Sequence, residues 1–75
     1  MKIIIAGSGE VGYYLAQLLE PKYRDIVMID AEKEKLRLVE KELGIATVTG
    51  DSTSYTTLMD AGITKADLLI SVTSN

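Results

Sequence analysis

Three glycines stand in G-x-G-x-x-G spacing at Gly7-Ser8-Gly9-Glu10-Val11-Gly12, and Asp30 follows about eighteen residues beyond Gly12. Residues of these types at these spacings suit the holding of a pyrophosphate and a ribose. Gly7 allows a tight turn off a strand, Gly9 lets phosphate reach bare backbone, and Gly12 lets the next helix lie close to the sheet. A helix beginning there aims unpaired N–H groups and the positive end of its dipole at the anion. An ionised Asp30 can accept hydrogen bonds from both ribose hydroxyls. It also repels a 2′-phosphate, and no arginine follows at once to offset that charge, so NAD-type or adenosine nucleotides are favoured over NADP. The alternative is an ordinary strand-to-helix turn, with Asp30 capping the next helix. Glu10 is awkward beside phosphates. Its place in a first helical turn suits the dipole, and its side chain is expected to point away from a ligand.

The rest of the composition narrows the chemistry. The 75 residues contain no histidine and no cysteine. This removes the usual general base, the usual transition-metal ligand and any disulfide or thiolate site. The net charge of −3 supplies no basic stripe for nucleic acid. One lysine and five apolar residues open the chain, too few for a signal peptide or a membrane span. The expected setting is cytoplasmic. A Tyr-Lys catalytic pair needs a tyrosine a few residues before a lysine on one helix, and none of the four tyrosines is so placed. Tyr13 and Tyr14 are adjacent on the first helix, so only one can pack on the sheet. Tyr23 and Tyr55 read as packing or surface residues.

The elements that must position the glycines and Asp30 are legible as apolar runs. Ile3–Ala6 lacks alternation, as in a strand covered on both faces, and Asp25–Asp30 repeats the pattern. Between them Val11, Leu15, Leu18 and Leu19 recur at helical spacing, with Pro21 as the stop. A charged helix is expected from about Glu32 to Leu43, with Leu36, Val39 and Leu43 inward and Gly44 at its end. The run Glu32-Lys33-Glu34-Lys35 reads as its solvated face. Ile45–Thr49 is a third strand. A short helix from near Ser54 to Ala61 has a serine or threonine available as cap, and Asp67–Val72 is a fourth strand. Strands alternating with helices imply a Rossmann-like α/β fold with a parallel sheet in the order 3-2-1-4, the first half of a doubly wound sheet. The helix that would next cover the sheet is not in the sequence. Residues 1–75 therefore read as the N-terminal part of one domain, or as a chain completed by a partner at an apolar edge.

This topology brings further candidates to the C-terminal rim of the sheet. Asp51, after Thr49-Gly50, either hydrogen-bonds an adenine amino group or stabilises its own turn. Val72 and Thr73 end the fourth strand near the pyrophosphate or second ribose, whereas Ser74 reads as polar loop. The context of the glycines, with a strand before, a helix after and an acid ending the next strand, makes a nucleotide cradle the better reading.

The segments MKIIIAGSGEVGYYLAQLL, DIVMID and VTGDSTSYTTLMDAGITKADLLISVTSN resemble the N-terminal lobe of the Trk/Ktr potassium-uptake regulatory subunits, the KTN or RCK domain family. The resemblance implies binding of NAD(H), or of ATP or ADP, by a homo-oligomeric module that gates a membrane potassium transporter or channel from its cytoplasmic side without entering the membrane. By matching position it implies Gly7, Gly9 and Gly12 as the phosphate loop and Asp30 as the holder of the adenosine ribose. It further implies Asp51 near adenine, and Val72 and Thr73 near the phosphates. Two other functions fit the same residues: the cofactor half of an NAD-dependent dehydrogenase, and an interaction module that has lost its ligand.

Overall fold

Ile3, Ile4 and Ile5 are each no more than 1% exposed, which requires apolar cover on both faces of a single strand. That strand, β1 (Lys2–Ala6), is the centre of the computed structural model, which describes residues 1–72. Along the chain follow α1 (Glu10–Leu19), β2 (Asp25–Asp30), α2 (Lys33–Leu43), β3 (Ala46–Thr49), α3 (Tyr55–Ala61), a 3-10 turn at Ile63–Lys65 and β4 (Leu68–Ser71). The sheet runs β3-β2-β1-β4 and each pairing is parallel. Ile3 lies opposite Ile26 on one side and Leu68 on the other, and Asp30 lies opposite Thr49. This is the Rossmann-like order expected from the alternation of elements.

Successive strand residues point to opposite faces, so the isoleucine run feeds two cores. Ile3, Ile5, Ile26 and Met28 pack with Ala16 of α1 and with Leu36 and Val39 of α2. Ile4, Val27 and Ile29 pack with Ala61 of α3 on the other face. Leu36 and Val39 are buried as their spacing requires, and Gly44 closes α2 in the left-handed conformation.

Helix α1 departs from the expected stripe. Val11 and Leu18 are exposed, and the buried positions are Gly12 and Ala16. Residues four apart share one helical face, and two small ones let the helix sit close to the sheet. Leu15 and Leu19 only border the core. Tyr13 packs at the core edge while Tyr14 is exposed; Tyr23 packs against the core and Tyr55 is exposed. Helix α3 follows Ser54 as its N-cap, yet the serine side chain makes no capping bond. The expected side-chain cap does not form; the Ser54 N–H donates to the Asp51 carbonyl, and the Ser54 carbonyl accepts the first helical bond from the Leu58 N–H. At β4, Leu68 and Leu69 are half exposed.

Candidate functional site

Four strand ends and one helix start meet at a single rim. The Gly7 N–H donates to the Ile29 carbonyl at 2.8 Å, the Gly50 N–H to the Asp30 carbonyl at 2.9 Å, and the Val72 N–H to the Ala6 carbonyl at 2.8 Å. The loop after β1 is thus tied to the ends of β2 and β4, and the turn after β3 is tied to β2. Gly7 has φ +116°, and a methyl group there would overlap the Val72 carbonyl oxygen. A methyl on Gly12 would overlap the Gly7 carbonyl oxygen. These two glycines close the loop onto itself and onto β4.

Gly9 is different, because a Cβ built on it meets no atom within 4 Å. Nothing in the described residues requires a glycine there, so the bare backbone faces open space. Gly9 is the N-cap of α1 with no side-chain cap, and the first helical bond runs from the Tyr13 N–H to the Gly9 carbonyl at 2.9 Å. The N–H groups of Glu10, Val11 and Gly12 therefore lack partners within the helix. They present positive dipole ends suited to an anion. A cavity of about 350 Å³ lies against this loop, bordered by Gly9, Glu10, Val11, Asp30, Lys35 and Val72. A second, of about 330 Å³, continues along the rim between Gly7, Asp30, Gly50, Asp51 and Val72. An open glycine, a free helix start and two adjoining cavities fit a phosphate-bearing nucleotide.

Asp30 lies between the two cavities and is held on three sides. Its Oδ2 accepts the Ser8 N–H at 2.9 Å and the Ser8 hydroxyl at 2.8 Å; its Oδ1 accepts the Glu32 N–H at 2.8 Å. Burial pushes the carboxyl up, but the bonds from Glu32 and Ser8 and the nearby Lys35 charge outweigh it. They hold Asp30 below its ordinary 3.8, so it is an anion at neutral pH. The capping alternative is realised in modified form. Glu32 is the N-cap of α2, and Asp30 accepts that residue's N–H, as in an Asx turn entering the helix. With this bond Oδ1 accepts once, while Oδ2 accepts twice from Ser8.

Asp51 is exposed, and its Oδ1 accepts the Thr53 N–H at 2.8 Å and the Thr53 hydroxyl at 2.7 Å. Those two bonds hold its carboxyl below 3.8. The turn-forming alternative is therefore present, while the residue still borders the second cavity. Ser8 is buried. Glu10 is exposed at the mouth of the loop cavity, with Val11 beside it. Val72 touches both cavities; Thr73 and Ser74 lie outside the described residues.

Lys35 was legible only as part of a solvated charge run. It does pair with Glu32 at 3.2 Å, and Arg37 pairs with Glu34 at 3.7 Å. Yet one turn into α2 it also borders the loop cavity. Helical spacing from Asp30 across the Asx turn could have flagged it. A wider groove of about 750 Å³ runs from the loop between α1 and α2 past Tyr13, Tyr14, Gln17 and Leu38. There the Tyr13 hydroxyl donates to Glu42 at 3.0 Å. No described helix is long and apolar enough to cross a membrane.

The TrkA-N domain family matches residues 3–75. The Trk system potassium uptake protein TrkA homolog of Archaeoglobus fulgidus is 39% identical over 75 residues, all of this chain and 17% of the relative. The Trk system potassium uptake protein TrkA of Haemophilus influenzae is 39% identical over 75 residues, again all of this chain and 16% of the relative. That of Halomonas elongata is 42% identical over 74 residues, 99% of this chain and 16% of the relative. The chain thus spans about one sixth of the length of these relatives. With the glycine loop, the rim and the parallel order already described, the match over nearly every residue means that the chain belongs to the TrkA-N domain family.

Proposed function

We propose that this chain is the nucleotide-binding lobe of a regulatory subunit of a potassium-uptake system. The ligand is NAD(H), with ATP and ADP as the competing adenine nucleotides. The observation that carries this is the open Gly9 at the bare N-terminus of α1, with the ionised Asp30 beside it. In this reading the N–H groups of Glu10, Val11 and Gly12 bind the phosphates. Asp30 orients the adenosine ribose, Asp51 lies toward the adenine, and Val72 and Thr73 flank the phosphates. Lys35 offsets part of the negative charge gathered by Glu10 and Asp30. The residues bind and orient; with neither histidine nor cysteine in the chain, a module without bond-making chemistry is the reading favoured over half of a dehydrogenase.

A ligand shifts a two-state assembly only through its differential affinity for the two states. The proposed subunit is a homo-oligomer on the cytoplasmic side of a membrane potassium transporter, and two nucleotides of unequal preference bias its arrangement. Calorimetric titration with NADH, NAD, ATP and AMP tests the binding claim. Saturable binding that falls at least tenfold in Asp30→Ala is expected; binding indifferent to Asp30 contradicts it. For the regulatory claim, solution scattering of the oligomeric subunit should differ between saturating NADH and saturating ATP. Identical profiles count against it.

A further inference from the structure

An ionised carboxylate offers about four acceptor sites, two on each oxygen. In Asp30 three are taken: Oδ2 accepts both the N–H and the hydroxyl of Ser8, and Oδ1 accepts the Glu32 N–H. The two N–H bonds, at 2.8 and 2.9 Å, have the length of bonds to a charged acceptor, and the hydroxyl bond at 2.8 Å has ordinary O–H···O length. A ribose that donated both vicinal hydroxyls to this carboxylate would have to expel the Ser8 hydroxyl from Oδ2. Ser8 is buried, at 7% exposure, so an expelled hydroxyl would give up a bond to a charged acceptor with little exposure to make another, which is costly.

We infer that Ser8 is a specificity-determining residue: its hydroxyl saturates Asp30 Oδ2, so that the carboxylate reads one ribose hydroxyl, through Oδ1, rather than two. The inference rests on the nucleotide-binding reading and sharpens it. It sets the selectivity of the site for the sugar, which the glycine spacing and the presence of Asp30 leave open. The two remaining anchors of Asp30 are backbone N–H groups, from Ser8 and Glu32. Replacing Ser8 by alanine keeps both of them and opens a second acceptor site without releasing the carboxylate.

The test compares ADP, 2′-deoxyADP and 3′-deoxyADP on the native chain and on Ser8→Ala, by calorimetry. In the native chain one deoxy analogue should bind about tenfold more weakly than ADP, the worth of one hydrogen bond to a charged group, and the other within about twofold. In Ser8→Ala ADP should bind several-fold more tightly, and both deoxy analogues should then be weaker than ADP. Equal losses for both analogues in the native chain overturn the inference, as does a selectivity pattern unchanged by Ser8→Ala. ADP binding with the wrong pattern removes only the role given to Ser8. Absence of ADP binding by a folded chain that binds NADH removes the role given to Ser8 alone, and absence of both removes the nucleotide-binding reading with it.

Discussion

At the scale of single residues, the glycines of the loop separate into two kinds that respond differently to the same added methyl group. Gly12→Ala drives a Cβ into the Gly7 carbonyl oxygen, and overpacking of this sort costs about 1–3 kcal/mol. A clear fall in thermal midpoint is expected. Gly9→Ala meets no atom and should leave the midpoint nearly unchanged while weakening NADH binding at least tenfold. Equal effects of the two substitutions on stability would contradict the assignment of Gly9 to the ligand. Asp30 has a pH signature as well. Its folded carboxyl lies below 3.8, so its ionised form contributes stability above that value. That contribution is lost as pH falls through the lower folded value. Thermal melts across the acid range should show native chain and Asp30→Asn converging at low pH, with the variant less pH-dependent. A residual slope remains from Asp51, which is shifted the same way.

At the scale of elements, β1 and β2 were readable because their apolar runs are buried on two faces. Strands β3 and β4, at the sheet edges and partly exposed, were readable from their short apolar runs between turn residues. The inward face of α2 was readable for a related reason: Leu36 and Val39 are the large apolar residues at the right spacing in a charged helix. Helix α1 was not, because its packing is set by what is missing. Gly12 and Ala16 are the close contacts, and a pattern search weighted toward large side chains selects Val11 and Leu18, which are exposed. The consequence is measurable in denaturant. Leu36→Ala should cost about 2–5 kcal/mol, enough to unfold much of a domain this small. Leu18→Ala should stay within about 0.5 kcal/mol, as exposed sites usually do. A large loss in Leu18→Ala would return that residue to the core. The site was partly legible on the same terms. Gly7, Gly9, Gly12 and Asp30 follow from spacing. Ser8 follows only as a member of the loop; its bond to Asp30 Oδ2 and the place of Lys35 at the loop cavity were not legible, since they arise only when β2 is set beside β1.

At the scale of the whole molecule, parallel order β3-β2-β1-β4 delivers the ends of all four strands to one rim. This is why residues as far apart as Gly7, Asp30, Asp51 and Val72 border a continuous pair of cavities. Ligands in such sheets bind outside the carboxyl ends of the strands, where the strand order reverses. Here that point lies between β1 and β4, beside the glycine loop, where Gly7 meets the Val72 carbonyl. The central claim is that a nucleotide sits on that loop, against the start of α1. An amide-resolved NMR titration of the isotope-labelled chain with NADH tests it most directly. Saturable shifts centred on the N–H groups of Ser8, Gly9, Glu10, Val11 and Gly12 are the predicted result. Shifts confined to the groove between α1 and α2, or none at millimolar NADH in a chain whose spectrum is that of a folded protein, would contradict it.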